Sequence, residues 1–335
     1  MKHILLLGAG FSRNWGGWLA SEAFEYLIGH PKIIGNNALK QLLWNKQLKG
    51  GFEEALAQLQ DDANKNPAIH KDNLKLLESS ILDMFNDMNK AFQNIKDENG
   101  SNDWDLQGTT KMVERSFADF LGKFDAIYTL NQDLLLEYHY IGSSSKGYLP
   151  NIIIHGDMIL NPYTPTQEWG LSKLTPDNEI NQFKVPSSSQ PIYKLHGSSN
   201  WVNSDGQPLL ILGGNKQSAI KQLPILGFYL KQFETDLSLH DTRLMVIGYG
   251  FGDLHINYLI ESGIEHGLKM FNINPDGAEQ AKKPDLARNK DHIPGSRSLE
   301  ENFEKLLIGA SRRSLKEIFG NDTLEHSKVM RFFKS

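Results

Sequence analysis

Five short stretches carry residue types that can do chemistry. Gly8-Ala9-Gly10-Phe11-Ser12-Arg13 follows the apolar run HILLL, and Asn131-Gln132-Asp133 follows DAIYTL. His196-Gly197-Ser198 follows PIYKL, Gly248-Tyr249-Gly250-Phe251-Gly252-Asp253 follows LMVI, and Asn274 closes the last apolar run. Glycines at a strand end let anionic oxygens reach bare backbone N–H groups, which suits a phosphate. Asparagine offers a donor and an acceptor without a charge, and imidazole titrates near neutral pH. Asp133 and Asp253 can accept hydrogen bonds from a ligand or cap the helices that follow them. The dinucleotide fingerprint asks for a third glycine three places after the second, and Arg13 stands there. No acid ends a second strand about 20 residues on, so the loop suits a nucleotide phosphate without matching a hydride-transfer site.

The elements around these stretches must bring them together. Apolar runs at 3–7, 125–130, 151–154, 191–195, 209–212, 244–248 and 269–273 read as strands, most of them followed by helical periodicity. Such alternation predicts an α/β fold, a Rossmann-like doubly wound parallel sheet, with ligands beyond the carboxyl ends of its strands. The glycine-rich and polar stretches all fall at those ends. Between 37 and 120 the pattern is instead amphipathic helix: Phe52, Ala55, Leu56 and Leu59 share one face, as do Leu77, Ile81, Met84, Phe85 and Met88. We expect residues 1–36 and 121–275 to form the nucleotide-binding domain and 37–120 a helical insertion module. Residues 276–335 are expected to be a loop and helices packed on the domain, including a helix over 300–308. The stretch 161–190 is rich in Pro and Ser and has little periodicity, as in a lid or a partner-binding insertion.

Composition excludes several classes. The chain has 335 residues and no cysteine, which removes disulfides, thiol nucleophiles and cysteine-based zinc sites. With 40 acidic and 35 basic residues its net charge is −5, against broad nucleic-acid binding. No apolar run approaches the roughly 18 residues of a membrane helix, and no signal peptide is evident, so a cytoplasmic protein is expected. No metal ligand set is expected either.

The stretches GAGFS, TLNQD, KLHGS and GYGFGDLHIN, at 8–12, 129–133, 194–198 and 248–257, resemble the sirtuin family in order and spacing. The nearest likeness is to bacterial sirtuin-like proteins of antiphage defence, whose domain consumes NAD+. The resemblance implies NAD+ as substrate, with Gly8, Ala9, Gly10, Phe11 and Ser12 cradling the pyrophosphate and Arg13 adding a charge-assisted contact. It implies Asn131 on the nicotinamide ribose or the attacking water, Asp133 on the nicotinamide carboxamide, and His196 as general base. His155 is the rival histidine. Gly248, Tyr249, Gly250 and Asp253 would form the opposite wall and Asn274 would meet the adenine ribose. Trp15 and Trp18 could wall off the nicotinamide, with core packing the alternative for Trp18.

The implied reaction is NAD+ glycohydrolysis to ADP-ribose and nicotinamide, switched on by self-assembly or by a partner. A homo-oligomer and a hexameric translocase-type ATPase are the partners the resemblance suggests, with no direct contact to nucleic acid or membrane. Sirtuin deacylases carry a four-cysteine zinc module that this chain lacks, which sets protein deacylation behind. ADP-ribosyl transfer, cyclisation of ADP-ribose and non-catalytic sensing of NAD or ADP-ribose stand as the other readings.

Overall fold

The computed structural model describes residues 1–96, 116–141, 189–202, 208–213, 216–282 and 299–334, with short pieces at 103–104, 106, 147–148, 152–154, 172–174 and 185. His155 and nearly all of 161–190 lie outside the described residues.

The chain opens with β1 (Lys2–Leu7), the short α1 (Ala9–Ser12) and α2 (Ala20–Ile28). Helices α3 (Pro31–Ile34), α4 (Asn37–Lys46), α5 (Gly51–Lys65), α6 (Pro67–Gln93) and α7 (Phe117–Leu121) follow. Next come β2 (Ala126–Thr129), β3 (Gly147–Tyr148), β4 (Ile152–Ile154), β5 (Ser172–Leu174), β6 (Gln190–Lys194), β7 (Gly197–Val202) and β8 (Pro208–Leu210). The remainder is α8 (Lys216–Lys221), α9 (Pro224–Leu237), β9 (Thr242–Ile247), α10 (Leu254–Ile264), β10 (Lys269–Ile273), α11 (Leu299–Leu306), β11 (Leu307–Ser311), α12 (Leu315–Phe319) and α13 (Thr323–Met330).

Seven strands form one sheet in the order β11-β10-β9-β1-β2-β6-β3, and every pairing is parallel. β1 lies at its centre because HILLL can be buried on both faces. Its residues alternate between two cores: Leu5 and Leu7 join one, Ile4 and Leu6 the other. β9 alternates in the same way, Met245 and Ile247 against Leu244 and Val246. This two-sided burial is what a doubly wound sheet requires. Chain order reverses between β1 and β9, and that switch point opens a crevice at the strand carboxyl ends.

The helical module does not stand apart. Leu39, Leu43, Phe52, Leu56, Leu77, Ile81 and Met84 share a continuous core with Leu5 and Leu7 of β1. α6 can span 27 residues because Pro67 starts it, where a missing N–H costs nothing, and its apolar face keeps helical spacing from Leu77 to Phe92.

Three expectations about strands need correction. The segments 152–154 and 208–210 do not join the main sheet but a second one, ordered β4-β5-β7-β8. The helix placed over 300–308 stops at Leu306, and Leu307–Ser311 becomes an edge strand of the main sheet. LIGAS lacks bulky alternation because Gly309 must pass the Phe271 ring: a Cβ there would stand 2.5 Å from a ring carbon. The tail 276–335 therefore contributes a strand as well as helices.

Candidate active site

A cavity of about 670 Å³ runs along the carboxyl rim of β1, β2, β6, β9 and β10. Its lining includes Gly8, Ala9, Gly10, Ser12, Arg13, Asn131, Asp133, His196, Gly248, Tyr249, Gly250, Asp253 and Asn274. Within the 8–13 loop, Phe11 alone stays out of this lining. Its ring is buried in the core, 5.1 Å from the Trp15 ring.

The glycines of β1 and β9 are explained first by packing. A Cβ on Gly8 would stand 2.6 Å from the Tyr249 Cα, and one on Gly10 would stand 2.8 Å from the Gly248 Cα. Gly248 has φ +66°, and its own Cβ would lie 2.2 Å from the Phe11 nitrogen. The two loops touch backbone to backbone, which only glycine allows. Some amides of this loop are also engaged within the fold. Gly8 N–H donates to Ile247 C=O (3.0 Å), Gly10 N–H to Gly248 C=O (2.9 Å) and Phe11 N–H to Gly8 C=O (2.8 Å). Three of the five expected amides thus already serve the fold.

Arg13 stands at the cavity with its side chain half exposed and 2.8 Å from Glu22. The tryptophans exchange the roles expected of them. Trp15 is core, stacked on Trp104 at 4.9 Å, whereas Trp18 lines the cavity.

One side of the cavity is a closed hydrogen-bond network. Asn131 Nδ2 donates to Gly8 C=O (3.0 Å) and to Ser12 Oγ (2.9 Å). Ser12 Oγ donates to Asp133 Oδ2 (2.7 Å). Because Gly8 C=O can only accept, the amide orientation of Asn131 is fixed, and its Oδ1 is the polar atom left for a ligand. Asp133 Oδ1 accepts from Leu135 N–H at 3.1 Å, so this carboxylate orients Ser12 and also caps the turn after β2. Burial pushes the Asp133 carboxyl above its ordinary range, while Lys194 and the Ser12 hydroxyl oppose the shift.

Behind this network lies a buried ion pair that the sequence reading left unassigned. Lys194, 2% exposed, places Nζ 2.6 Å from Glu137 Oε1 and 2.5 Å from the Asp133 carbonyl oxygen. Burial also raises the Glu137 carboxyl, against the pull of Lys194.

The other side centres on His196, in the sharp turn between β6 and β7. The turn needs glycine next, since Gly197 has φ +77° and a Cβ there would meet the Leu209 carbonyl oxygen at 2.7 Å. Gln132 Nε2 donates to the His196 carbonyl (2.9 Å) and to the Ile211 carbonyl (2.8 Å), which ties the turn to the rim. His196 is 3% exposed, and burial is the main reason its imidazole is lowered to about 3; Lys216 and His255 add to the shift and Asp253 opposes it. It is therefore neutral at physiological pH, as a proton acceptor must be.

His196 Nε2 lies 3.1 Å from His255 Nε2. Asp253, at the N-terminus of α10, receives Lys216 Nζ at 3.0 Å, and the same ammonium lies 2.7 Å from Glu53 of α5. Burial works against the Asp253 carboxylate, yet the neighbouring imidazole and Lys216 outweigh it and hold the group below its ordinary range. Ring nitrogens of His196 and His255 and an Asp253 oxygen come within 4.8 Å of one another, a geometric grouping of three potential ligand atoms.

Tyr249 carries its hydroxyl between the Asp253 backbone and Asn257 Oδ1, the latter at 3.1 Å. Gly250 C=O accepts from Gln280 Nε2 at 3.2 Å. Asn274 Nδ2 donates to the Tyr249 carbonyl (3.2 Å) and its Oδ1 accepts from Asp276 N–H (3.0 Å), so Asn274 links the β9 and β10 loops at the cavity edge.

The insertion supplies a third wall from Phe52, Glu53, Met84, Phe85 and Met88. Amphipathic spacing accounts for the packing of these residues, but only the fold turns some of them toward the cavity. Gln132, Lys194 and His255 stood inside the recognised motifs, so a signal for them existed. Glu53 and Lys216 carried none.

The cavity size, its apolar wall and its few convergent polar atoms fit a nucleotide with a small aromatic end. Among the described residues, no helix is long and apolar enough to cross a membrane. No curated protein matches the chain. The family model described as SIR2-like domain matches residues 125–292, half of the chain. That span holds β2, β6, β9 and β10 together with Asn131, His196 and Asp253. The chain belongs to the SIR2-like domain family, whose members are NAD-dependent enzymes.

Proposed function

We propose that this protein is an NAD+ glycohydrolase, cleaving NAD+ to ADP-ribose and nicotinamide. The reading rests above all on one observation: Asn131 and His196, from the neighbouring strands β2 and β6, face the same cavity as the Gly8–Arg13 loop. Nicotinamide is a cationic leaving group, so the C1′–N bond breaks with its electron pair passing to the ring, without an acid. What the protein must supply is a fixed ribose, stabilisation of positive charge at C1′, and a water on the opposite face. Asn131 Oδ1 is an acceptor for a ribose hydroxyl or for that water. His196 takes a proton as the water oxygen bonds to C1′. The Asp133 carboxylate adds negative potential beside the developing oxocarbenium ion. The helix-opening Gly8–Arg13 segment and the Arg13 guanidinium favour the pyrophosphate.

The physiological role we infer is NAD+ depletion in antiphage defence, from the resemblance to bacterial sirtuin-like defence proteins. An unregulated enzyme of this kind would poison its own cell. Assembly of copies of the chain, or docking of a hexameric translocase-type ATPase, is the proposed switch.

Nicotinamide release from NAD+, followed by HPLC with and without such a partner, tests the activity. Asn131→Ala and His196→Ala are expected to lower kcat by about 10²–10³-fold and 10²–10⁴-fold respectively, with the fold retained by circular dichroism. Full activity in both variants would refute the assignment.

A further inference from the structure

We propose that Arg312 and Arg313, in the turn between β11 and α12, form a subsite for a phosphate monoester on the adenosine ribose, so that the protein takes NADP+ as well as NAD+. The inference names the substrate class of the cavity described above and rests on the dinucleotide reading for the placement of the adenosine.

That placement follows from the sheet order. Asn131 and His196 follow β2 and β6, on one side of β1, and the Gly8–Arg13 loop follows β1 itself. A dinucleotide with its nicotinamide at the first two and its pyrophosphate on the loop must send its adenosine toward β9, β10 and β11. A second cavity of about 480 Å³ lies there, and it shares Gly10, Arg13, Gly248 and Asn274 with the first. Both polar atoms of the Asn274 side chain already brace the β9 and β10 loops. Recognition of this end therefore falls to other polar groups.

Those groups are cationic. Arg13, Arg312, Arg313 and Lys316 line the second cavity, with Glu317 as the one acid among its described lining residues. Their partners Glu22, Glu279, Asp322 and Asp103 stand outside this lining, and Asp276 lines the first cavity but not the second. In a chain of net charge −5 this is a local reversal of sign, which favours an anion. The Arg312 stem lies against Gly277, three residues past Asn274 and at φ +54°: a Cβ there would stand 2.8 Å from Arg312 Cγ and 3.2 Å from Nε. The contact places this arginine at the β10 loop, and glycine leaves the room for it. Arg312 pairs with Glu279 at 2.8 Å and Arg313 with Glu317 at 3.2 Å, and all four side chains are about half exposed or more. Solvent screens both pairs, so they yield to a phosphate dianion, which a guanidinium binds through two parallel hydrogen bonds. NADP+ differs from NAD+ by that group alone, and an arginine near the adenosine ribose is how a dinucleotide site accommodates it.

Isothermal titration of the full chain with adenosine 2′,5′-bisphosphate and with AMP tests the subsite without turnover. Expected is a Kd for the bisphosphate about 10–100-fold below that for AMP, a preference that shrinks as salt rises. Arg312→Ala should cut the preference about 10-fold, Arg312→Lys should keep part of it, and Arg312→Ala with Arg313→Ala should abolish it. Equal affinity for the two ligands in the native chain would overturn the proposal, as would a preference that survives in the folded double variant. Inorganic phosphate that binds as tightly as the bisphosphate would also overturn it, since the turn would then be a general anion site. In the nicotinamide-release assay, kcat/KM for NADP+ should at least equal that for NAD+; cleavage of NAD+ alone would count against the subsite. A native chain that cleaves neither would sink the hydrolase reading only, because the titrations report on the arginines regardless.

Discussion

The two polar networks that flank the cavity follow opposite plans. The Asn131–Ser12–Asp133–Lys194 network is drawn from β1, β2 and β6 and their immediate ends, and it closes on itself around the buried Lys194–Glu137 pair. The His196–His255–Asp253–Lys216–Glu53 network joins elements far apart in sequence and reaches the inserted helices through α5. The first is a rigid part of the sheet rim. The second depends on how β6, α8, α10 and α5 pack against one another. Geometry that must not vary is built from adjacent strands, whereas the base sits where the rest of the molecule can influence it.

The largest effect should come from breaking the rigid side. Lys194→Met leaves the Glu137 carboxylate buried without its partner, which costs about 3–5 kcal/mol of stability. Urea denaturation measures it, and the double variant Lys194→Met, Glu137→Leu should recover most of the loss. If the single variant is as stable as the native chain, the rim is not locked by this pair.

On the other side, pH separates the networks. An unfolded histidine protonates near 6.5, whereas folded His196 resists protonation down to about pH 3. Between these values the unfolded chain binds the extra proton. This contribution to stability is therefore intact above pH 6.5 and declines as the pH falls, by up to about 1.4 kcal/mol per pH unit. His196→Gln should show a shallower acid slope than the native chain in denaturation between pH 6.5 and 4; equal slopes would contradict a neutral, buried imidazole.

The smallest effect is expected at the junction with the inserted helices. Glu53 is one-third exposed, so solvent screens its pair with Lys216. Glu53→Gln should cost no more than about 1 kcal/mol globally. Hydrogen exchange should nevertheless rise in α5 more than in β2. A uniform rise would mean that Glu53 is not a local fastening.

Much of this was legible in the sequence because strand ends are local features. The apolar runs before Gly8, Asn131, Gly248 and Asn274 located the rim, and the parallel sheet followed from the alternation with helices. His196 could be chosen because KLHGS puts it one residue from a strand end. What the sequence did not disclose depends on three-dimensional approach. The demand for glycine at 8, 10 and 248 also comes from a backbone contact between two loops, which only the fold reveals. β11 went unrecognised because an edge strand that passes an aromatic ring uses small residues and loses the alternation that marks a strand. Glu53 and Lys216 are ordinary surface-type residues until the insertion folds back over the rim.

That fold-back has an energetic corollary. Met84, Phe85 and Met88 on α6 complete a pocket whose other walls are strand tips. A dinucleotide held between them would touch both partners at once, and anything that binds only the docked form stabilises docking by mass action. Substrate would then act as a clasp between helix layer and sheet, so occupancy of the pocket would be felt at the outer face of α6, far from the scissile bond.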